Sequence, residues 1–179
     1  MLLGIISDTH DDLAAINEFF QIFEAKQVDL IIHCGDFVTP ETFTYLIDKA
    51  RVVEIPVKAV VGNNESEEDI REIRLVVESG EYPVDMSHDT YDLTFEVGGL
   101  ECAICHGHDG ILLESLIKSG DYDVIFRGHT HRPLEQKVGE TQIINPGSCC
   151  SKTLGAPTKD RGIALFDTVT RQVDFISLD

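Results

Sequence analysis

Long hydrophobic runs are missing from these 179 residues. The apolar stretch at 2–6 falls far short of the roughly 20 residues that a membrane span needs. No basic segment followed by an apolar core marks a secretory signal. A cytoplasmic protein with no membrane partner is therefore the expectation. Basic residues are scarce as well: 14 Lys and Arg stand against 32 Asp and Glu, a net charge of −18. Such a surface disfavours nucleic-acid polymers and anionic membranes, which are bound through basic patches. Solubility alone accounts for the acidity. An even set of cysteines is also lacking. Five of them cannot form a complete disulfide framework within one chain. Cys102 and Cys105 make a C-x-x-C, but they lie in an apolar run that reads as a strand. Residues three apart on a strand face opposite sides, so the pair does not converge on a metal. Adjacent Cys149 and Cys150 make no simple chelate either. Small buried hydrophobes are the expected role of most of the five.

Repeats, low-complexity tracts and linkers are absent too, and the length suits one sizeable core. One domain spanning 1–179 is the economical reading. The first half alternates strand and helix. Residues 2–7 are too uninterruptedly apolar for a surface strand and read as a buried central one. Leu13, Ile16, Phe19, Phe20 and Phe23 recur at helical spacing within 11–26. A strand over 29–33, a helix over 40–50 opened by Pro40, a strand over 57–61 and a helix over 67–77 follow. The second half is richer in hairpins. Gly98-Gly99 joins strands at 91–97 and 100–105, Gly139-Glu140 joins 136–138 to 141–145, and 168–171 joins 162–167 to 172–178. A helix over 111–119 and a strand over 124–127 lie between. The fold class is α/β, with strands layered between helices.

Five short motifs occur in one order: Asp8-Thr9-His10, Gly35-Asp36, Gly62-Asn63-Asn64-Glu65, His106-Gly107-His108 and Gly128-His129-Thr130-His131. Each sits where an apolar run ends. Each offers one or two side chains able to bind a metal, and none of the donors is a thiolate. Oxygen and nitrogen donors in this number suit a pair of divalent cations, a device for attacking phosphate esters. Asp8 and His10 lie two apart, as do His129 and His131; in extended backbone each pair points one way. Gly35 and Gly62 are expected to allow sharp turns before Asp36 and Asn63. Three early strands thus deliver oxygen ligands at the carboxyl edge, where α/β sheets place their sites. Singly the motifs are weak, and Gly-Asp alone is usually just a turn. All five in order carry the weight.

With these motifs the sequence resembles the calcineurin-like metallophosphoesterase superfamily. More narrowly, it is similar to the small bacterial and archaeal phosphodiesterases that include the YfcE-type proteins. The resemblance covers nearly the whole chain, including Asn145-Pro146-Gly147-Ser148. It implies a four-layer α-β-β-α sandwich and a centre of two divalent metals. On this chain it implies that Asp8, His10 and His131 hold one metal, that Asn63, His106 and His129 hold the other, and that Asp36 bridges them. Asn63 would bind through its amide oxygen, because a neutral amide nitrogen is no donor to metal. Manganese comes first, with nickel, iron, cobalt or zinc also suited to these donors. A hydroxide between the metals would attack a small phosphodiester. The wider superfamily often carries a histidine after the motif asparagine, able to protonate the leaving group. Here that position is Asn64, which is no general acid. His108 could supply the proton instead.

Two other functions share the resemblance. One is an inactive scaffold, as in a retromer subunit related to this family, which normally goes with eroded ligands. The other is a phosphomonoesterase. A homo-oligomer is possible under all three. His33 is expected either to orient a ligand or to be a core histidine with a backbone partner. Arg127 and Arg132 could reach phosphate, but salt bridges to the abundant carboxylates are the simpler expectation. His88 is expected at the surface. Asn145 and Ser148 are expected to shape the site through their loop. The acidic run 65–69 is explained by the favourable placement of carboxylates in a first helical turn.

Overall fold

The computed structural model describes residues 1–82, 84–86, 91–153, 156–157 and 161–178; His88 lies outside them. β1 (Leu2–Ile6), β2 (Leu30–His33) and β3 (Val57–Ala59) alternate with α1 (Leu13–Lys26), α2 (Pro40–Val52) and α3 (Glu67–Glu78). Then come β4 (Val84–Met86), the hairpin β5 (Asp92–Val97) and β6 (Leu100–Cys105), α4 (Gly110–Ser119), and β7 (Val124–Phe126). The chain ends in three antiparallel pairs: β8 (Pro133–Val138) with β9 (Thr141–Pro146), β10 (Lys152–Thr153) with β11 (Ala156–Pro157), and β12 (Gly162–Asp167) with β13 (Val173–Ser177).

Two mixed sheets result. One has the order β13-β12-β1-β2-β3-β4 and the other β5-β6-β7-β9-β8, with β10 and β11 forming a separate two-stranded piece. β1 through β4 run parallel, as do β6, β7 and β9. Strand alternation then sorts the core into three strata. Leu3, Ile5 and Ile32 of the first sheet meet Ile104, Phe126 and Ile144 of the second. On the outer face of the first sheet, Ile31, Val57 and Ala59 pack under Phe19, Phe23, Phe43 and Leu46 of α1 and α2, and Ile73 of α3. On the outer face of the second, Ala103, Ile125 and Ile143 pack under Leu116 of α4. The layers are helix, sheet, sheet, helix, the four-layer sandwich.

Several local expectations hold for physical reasons visible here. β1 is central and buried over four of its five residues. Gly98 and Gly99 both have positive φ, as a tight two-residue hairpin turn requires. Cys102 faces the space between the sheets and Cys105 faces α4, so the C-x-x-C is divided between two strata. All five cysteines are buried and none is in a disulfide. Other boundaries differ. α1 starts two residues late because Asp12 caps it, accepting from Ala15 N–H. Glu65 lies before α3, whose cap is Ser66 with a reciprocal bond from Asp69. No helix among the described residues is long and apolar enough to cross a membrane.

Candidate metal centre

The parallel strands of both sheets end on one side of the sandwich, and the five motifs follow those ends. The loops after β1, β2 and β3 carry Asp8 and His10, Asp36, and Asn63; those after β6 and β7 carry His106, and His129 and His131. Bonds between loops lock them together. Asp8 N–H donates to the Gly35 carbonyl at 3.0 Å, His10 N–H to that of Asp36 at 3.2 Å, and Asp11 N–H to that of Phe37 at 3.2 Å. Contacts that cross between the sheets include His106 Nδ1 to the Cys34 carbonyl at 2.7 Å and His129 N–H, which donates to Asp8 Oδ2 at 3.1 Å.

The donors gather in two overlapping sets, Asp8 with His10 and His131, and Asp8 with Asp36 and His106. His131 Nε2 lies 3.0 Å from Asp8 Oδ1 and 3.3 Å from His10 Nε2. His106 Nε2 lies 3.1 Å from the Asn63 amide oxygen and 3.3 Å from Asp36 Oδ2. Asp8 belongs to both sets, and Asp36 Oδ2 is also 3.8 Å from His10 Nε2, so the second set's Asp36 approaches the first set as well. His129 stands outside both, its ring centroid 5.2 Å from that of His106. His108 is further out, 5.5 Å from His106 and edge-on to Tyr91 at 5.3 Å.

These donors fit cations. His106 Nδ1–H donates to the Cys34 carbonyl, which turns Nε2 toward Asn63 and Asp36 as a ligand nitrogen. Two imidazole nitrogens and a carboxylate oxygen converge at His10, His131 and Asp8, an arrangement that a cation completes. Burial alone would raise the Asp36 carboxyl, but the His106 imidazole beside it and hydrogen bonds from Asn64 outweigh it and hold the group well below the usual carboxylate range. The Asp8 hydrogen bond raises His131 despite some desolvation, while burial lowers His10, His108 and His129.

The route to convergence differs from the sequence expectation. The i, i+2 pairs do not lie in extended backbone. Asp8, His10, Asp36, His129 and His131 all have φ between +42° and +70°. A left-handed backbone is uncommon for residues other than glycine, and such clusters are found at functional sites. Gly35 turns with φ +94°, as expected, but Gly62 does not have positive φ. Its importance is space: a Cβ there would sit 2.1 Å from Asp36 Oδ1. Its neighbours use that proximity. Asn63 and Asn64 N–H donate to Asp36 Oδ1 at 2.9 and 3.0 Å, and Asn64 Nδ2 donates to Oδ2 at 2.6 Å.

Glu65 closes the Gly62-Asn63-Asn64-Glu65 motif, and the sequence reads it as one of the carboxylates of a first helical turn. It is instead a buried clamp. One carboxylate oxygen accepts from Phe37 and Val38 N–H and the other from Gly62 N–H at 2.7 Å, tying the Asp36 loop to the Asn63 loop. Its spacing two residues past Asn63 was the available signal. His33 is the core histidine with a backbone partner: Nδ1 accepts from Gly35 N–H at 3.1 Å, and Nε2 meets Thr9 Oγ1 at 3.3 Å. Ser148 donates to the Asp8 carbonyl, and Asn145 to the Gly128 carbonyl and Thr130. The salt bridges expected of Arg127 and Arg132 do not form; neither reaches a carboxylate among the described residues, and Arg127 Nε is buried without a partner.

Known proteins share this arrangement of strands and loops. A phosphodiesterase of Methanocaldococcus jannaschii is 34% identical, with the alignment covering all of both chains. The solved structure of an archaeal phosphodiesterase is 33% identical over 99% of this chain and all of its own, with a TM-score of 0.83. YfcE, a phosphoesterase from E. coli, shares the fold with a TM-score of 0.65 and 20% identity over the whole of both chains. The family profile of the calcineurin-like phosphoesterase superfamily domain matches residues 1–171. The chain belongs to the calcineurin-like phosphoesterase superfamily.

Proposed function

We propose that residues 1–179 act as one domain, a metal-dependent phosphodiesterase that hydrolyses small phosphodiesters. The observation that carries this reading is the meeting of Asp8, His10, Asp36, His106 and His131 at loop ends from both sheets. Full-length similarity to an archaeal phosphodiesterase supports the substrate class. Asp8, His10 and His131 would hold one divalent cation, Asn63, His106 and His129 a second, and Asp36 would contact both. Manganese is the first candidate, with nickel, iron, cobalt and zinc also compatible with the donor set. Two such cations would supply an attacking hydroxide and neutralise charge on the phosphate oxygens.

The chain's own residues divide the remaining work. Asn64 holds Asp36 deprotonated and oriented, so it serves position rather than proton transfer. His108 is the imidazole available to hand a proton to the leaving oxygen, and its ring faces His106 and His129. Two dications balanced by Asp8, Asp36 and a hydroxide leave one positive charge, which a diester monoanion neutralises. The surrounding charge of −18 repels polyanions at longer range, favouring small diesters over nucleic-acid polymers. Five buried thiols outside any disulfide suit a reducing, cytoplasmic setting. An inactive scaffold would not need this complete donor set.

The test is metal analysis of purified protein together with turnover of aryl diesters, alkyl diesters, monoesters and cyclic nucleotides. Aryl diesters should outpace alkyl diesters where His108 gives no proton, because Asn64 offers none to a poor leaving group; near-equal rates would mark His108 as the proton donor. Asp36→Asn should abolish turnover and weaken metal binding without unfolding the protein. Protein that stays metal-free and inactive after manganese or nickel is supplied would refute the reading.

A further inference from the structure

β8 is the outermost strand of the second sheet, and all six of its residues, Pro133 to Val138, are exposed. Its outer edge pairs with no strand among the described residues. An edge of that length is a template for another strand unless charge, proline or a bulge guards it. β8 carries Glu135 and Lys137, so it is guarded against most strands. Against a second copy of itself the guards cancel.

The register decides this. Val138 pairs with Thr141 across the two-residue turn Gly139-Glu140, and Gly139 has φ +59°. In such a hairpin the closing pair exchanges hydrogen bonds, and every second pair after it does the same. Val138, Gln136 and Leu134 therefore spend their backbone groups on β9, while Lys137, Glu135 and Pro133 direct theirs outward. Two copies of β8 laid antiparallel about a two-fold axis at Gln136 place Glu135 opposite Lys137 of the partner copy, and Lys137 opposite its Glu135. These are the residues with free outward N–H and C=O groups, so both pairs can form complete backbone hydrogen bonds. The same register sets Leu134 opposite Val138, each more than a third exposed in the single chain, in the closer non-hydrogen-bonded spacing. One register thus satisfies backbone, charge and apolar faces together. β8 itself carries no net charge, which matters for self-association of a chain at −18.

We propose that β8 is a self-complementary edge through which two copies of the chain join their second sheets into one continuous sheet. The present partners of its charged side chains are weak to lose. Lys137 pairs with Glu140 in an exposed i, i+3 contact, and Glu135 accepts from Gln142.

Sedimentation velocity across a concentration series tests this with Glu135→Lys and Lys137→Glu, which lie away from the candidate metal donors. Wild-type protein should dimerise. Each variant alone should weaken the dimer roughly tenfold or more, because two attractive pairs become two repulsive ones. An equimolar mixture should recover it as a heterodimer, since the all-lysine edge of the first variant then faces the all-glutamate edge of the second. The double exchange Glu135→Lys with Lys137→Glu should dimerise like wild type. Hydrogen exchange should show the Glu135 and Lys137 amides protected only in the dimer. A wild-type chain that stays monomeric at the highest concentrations reached would overturn the proposal. So would variants that associate as wild type does, or a mixture that stays monomeric.

Discussion

Glu65 offers the sharpest quantitative test of how the site is held. Its side chain is buried and accepts three backbone N–H groups, from Phe37, Val38 and Gly62. Glu65→Ala strands all three. Hydrogen bonds to a charged group are worth about 1.5–3 kcal/mol each, and an unsatisfied buried donor costs about 1–3 kcal/mol. Two terms reduce the sum. Burial pushes the Glu65 carboxyl up, so removing it recovers some desolvation energy. Water entering the vacated space can also satisfy part of what is lost. A net loss of about 2–4 kcal/mol follows for the alanine variant. Glu65→Gln keeps an oxygen for Phe37 and Val38 but turns an NH2 toward Gly62 N–H, donor against donor. Its loss should be about 2 kcal/mol. Both variants loosen the loops bearing Asp36 and Asn63, so metal affinity should fall about 10–100-fold. Urea unfolding of metal-free protein measures the first effect and calorimetric titration with manganese the second. An alanine variant within about 0.5 kcal/mol of wild type would show that the clamp does not hold the loops.

Gly62→Ala should cost about 1–3 kcal/mol and impair metal binding, because its Cβ must displace Asp36 Oδ1 from 2.1 Å; Gly110→Ala, with nothing within 4 Å of the added atom, should be neutral or slightly stabilising in the same unfolding assay. His33 supplies a pH signature, since complete burial lowers it to about 3. Its unfolded value is near 6.5, so the contribution is fully present above that pH and is lost as pH falls toward the folded value. Unfolding measured from pH 7 to pH 4 should show a shallower acid loss in His33→Gln than in wild type; parallel curves would contradict a buried neutral imidazole. Chelator treatment should lower the melting temperature, and manganese at about 100 times its dissociation constant should restore about 2.7 kcal/mol. A melting temperature indifferent to manganese, nickel, cobalt and zinc would remove the cations from the account.

The legible features were those whose signal is local. β1 and β2 announce themselves as apolar runs, and Gly98-Gly99 fixes a hairpin because its two positive φ values need residues without Cβ. The candidate donors were legible because O and N ligands ending successive apolar runs are chemically specific when they occur together. β4 was not, since three residues show no periodicity and its position comes from parallel pairing with β3. The left-handed backbone at Asp8, His10, Asp36, His129 and His131 could not be read from residue type, because none is glycine. Tertiary bonds impose it, through partners up to 140 residues distant, as with Ser148 on the Asp8 carbonyl. Glu65 was misassigned for a related reason: its neighbours in sequence form a helix start, and its partners lie in another loop.

The strained backbone and the clustered carboxylates are one design problem rather than two. Five non-glycine residues at positive φ cost stability, and Asp8 and Asp36 add charge repulsion when no cation lies between them. Cation binding could offset both, but a site that formed only on binding would spend much of its affinity on ordering loops. The structure places the compensation elsewhere. Bonds between the loops after β1 and β2, the Glu65 clamp, the His33–Thr9 contact and the Asn145–Ser148 segment use none of the candidate ligand side-chain atoms. They hold the donors in position by backbone and neighbouring groups, leaving the ligand atoms to converge. The two sheets take part equally, because His106 Nδ1 anchors on Cys34 and His129 N–H on Asp8. Slippage of one sheet over the other would separate the donor sets while leaving each loop intact. Packing of the apolar stratum between the sheets should therefore bear on metal affinity, and truncating Phe126 or Ile104 within it should weaken manganese binding in a calorimetric titration.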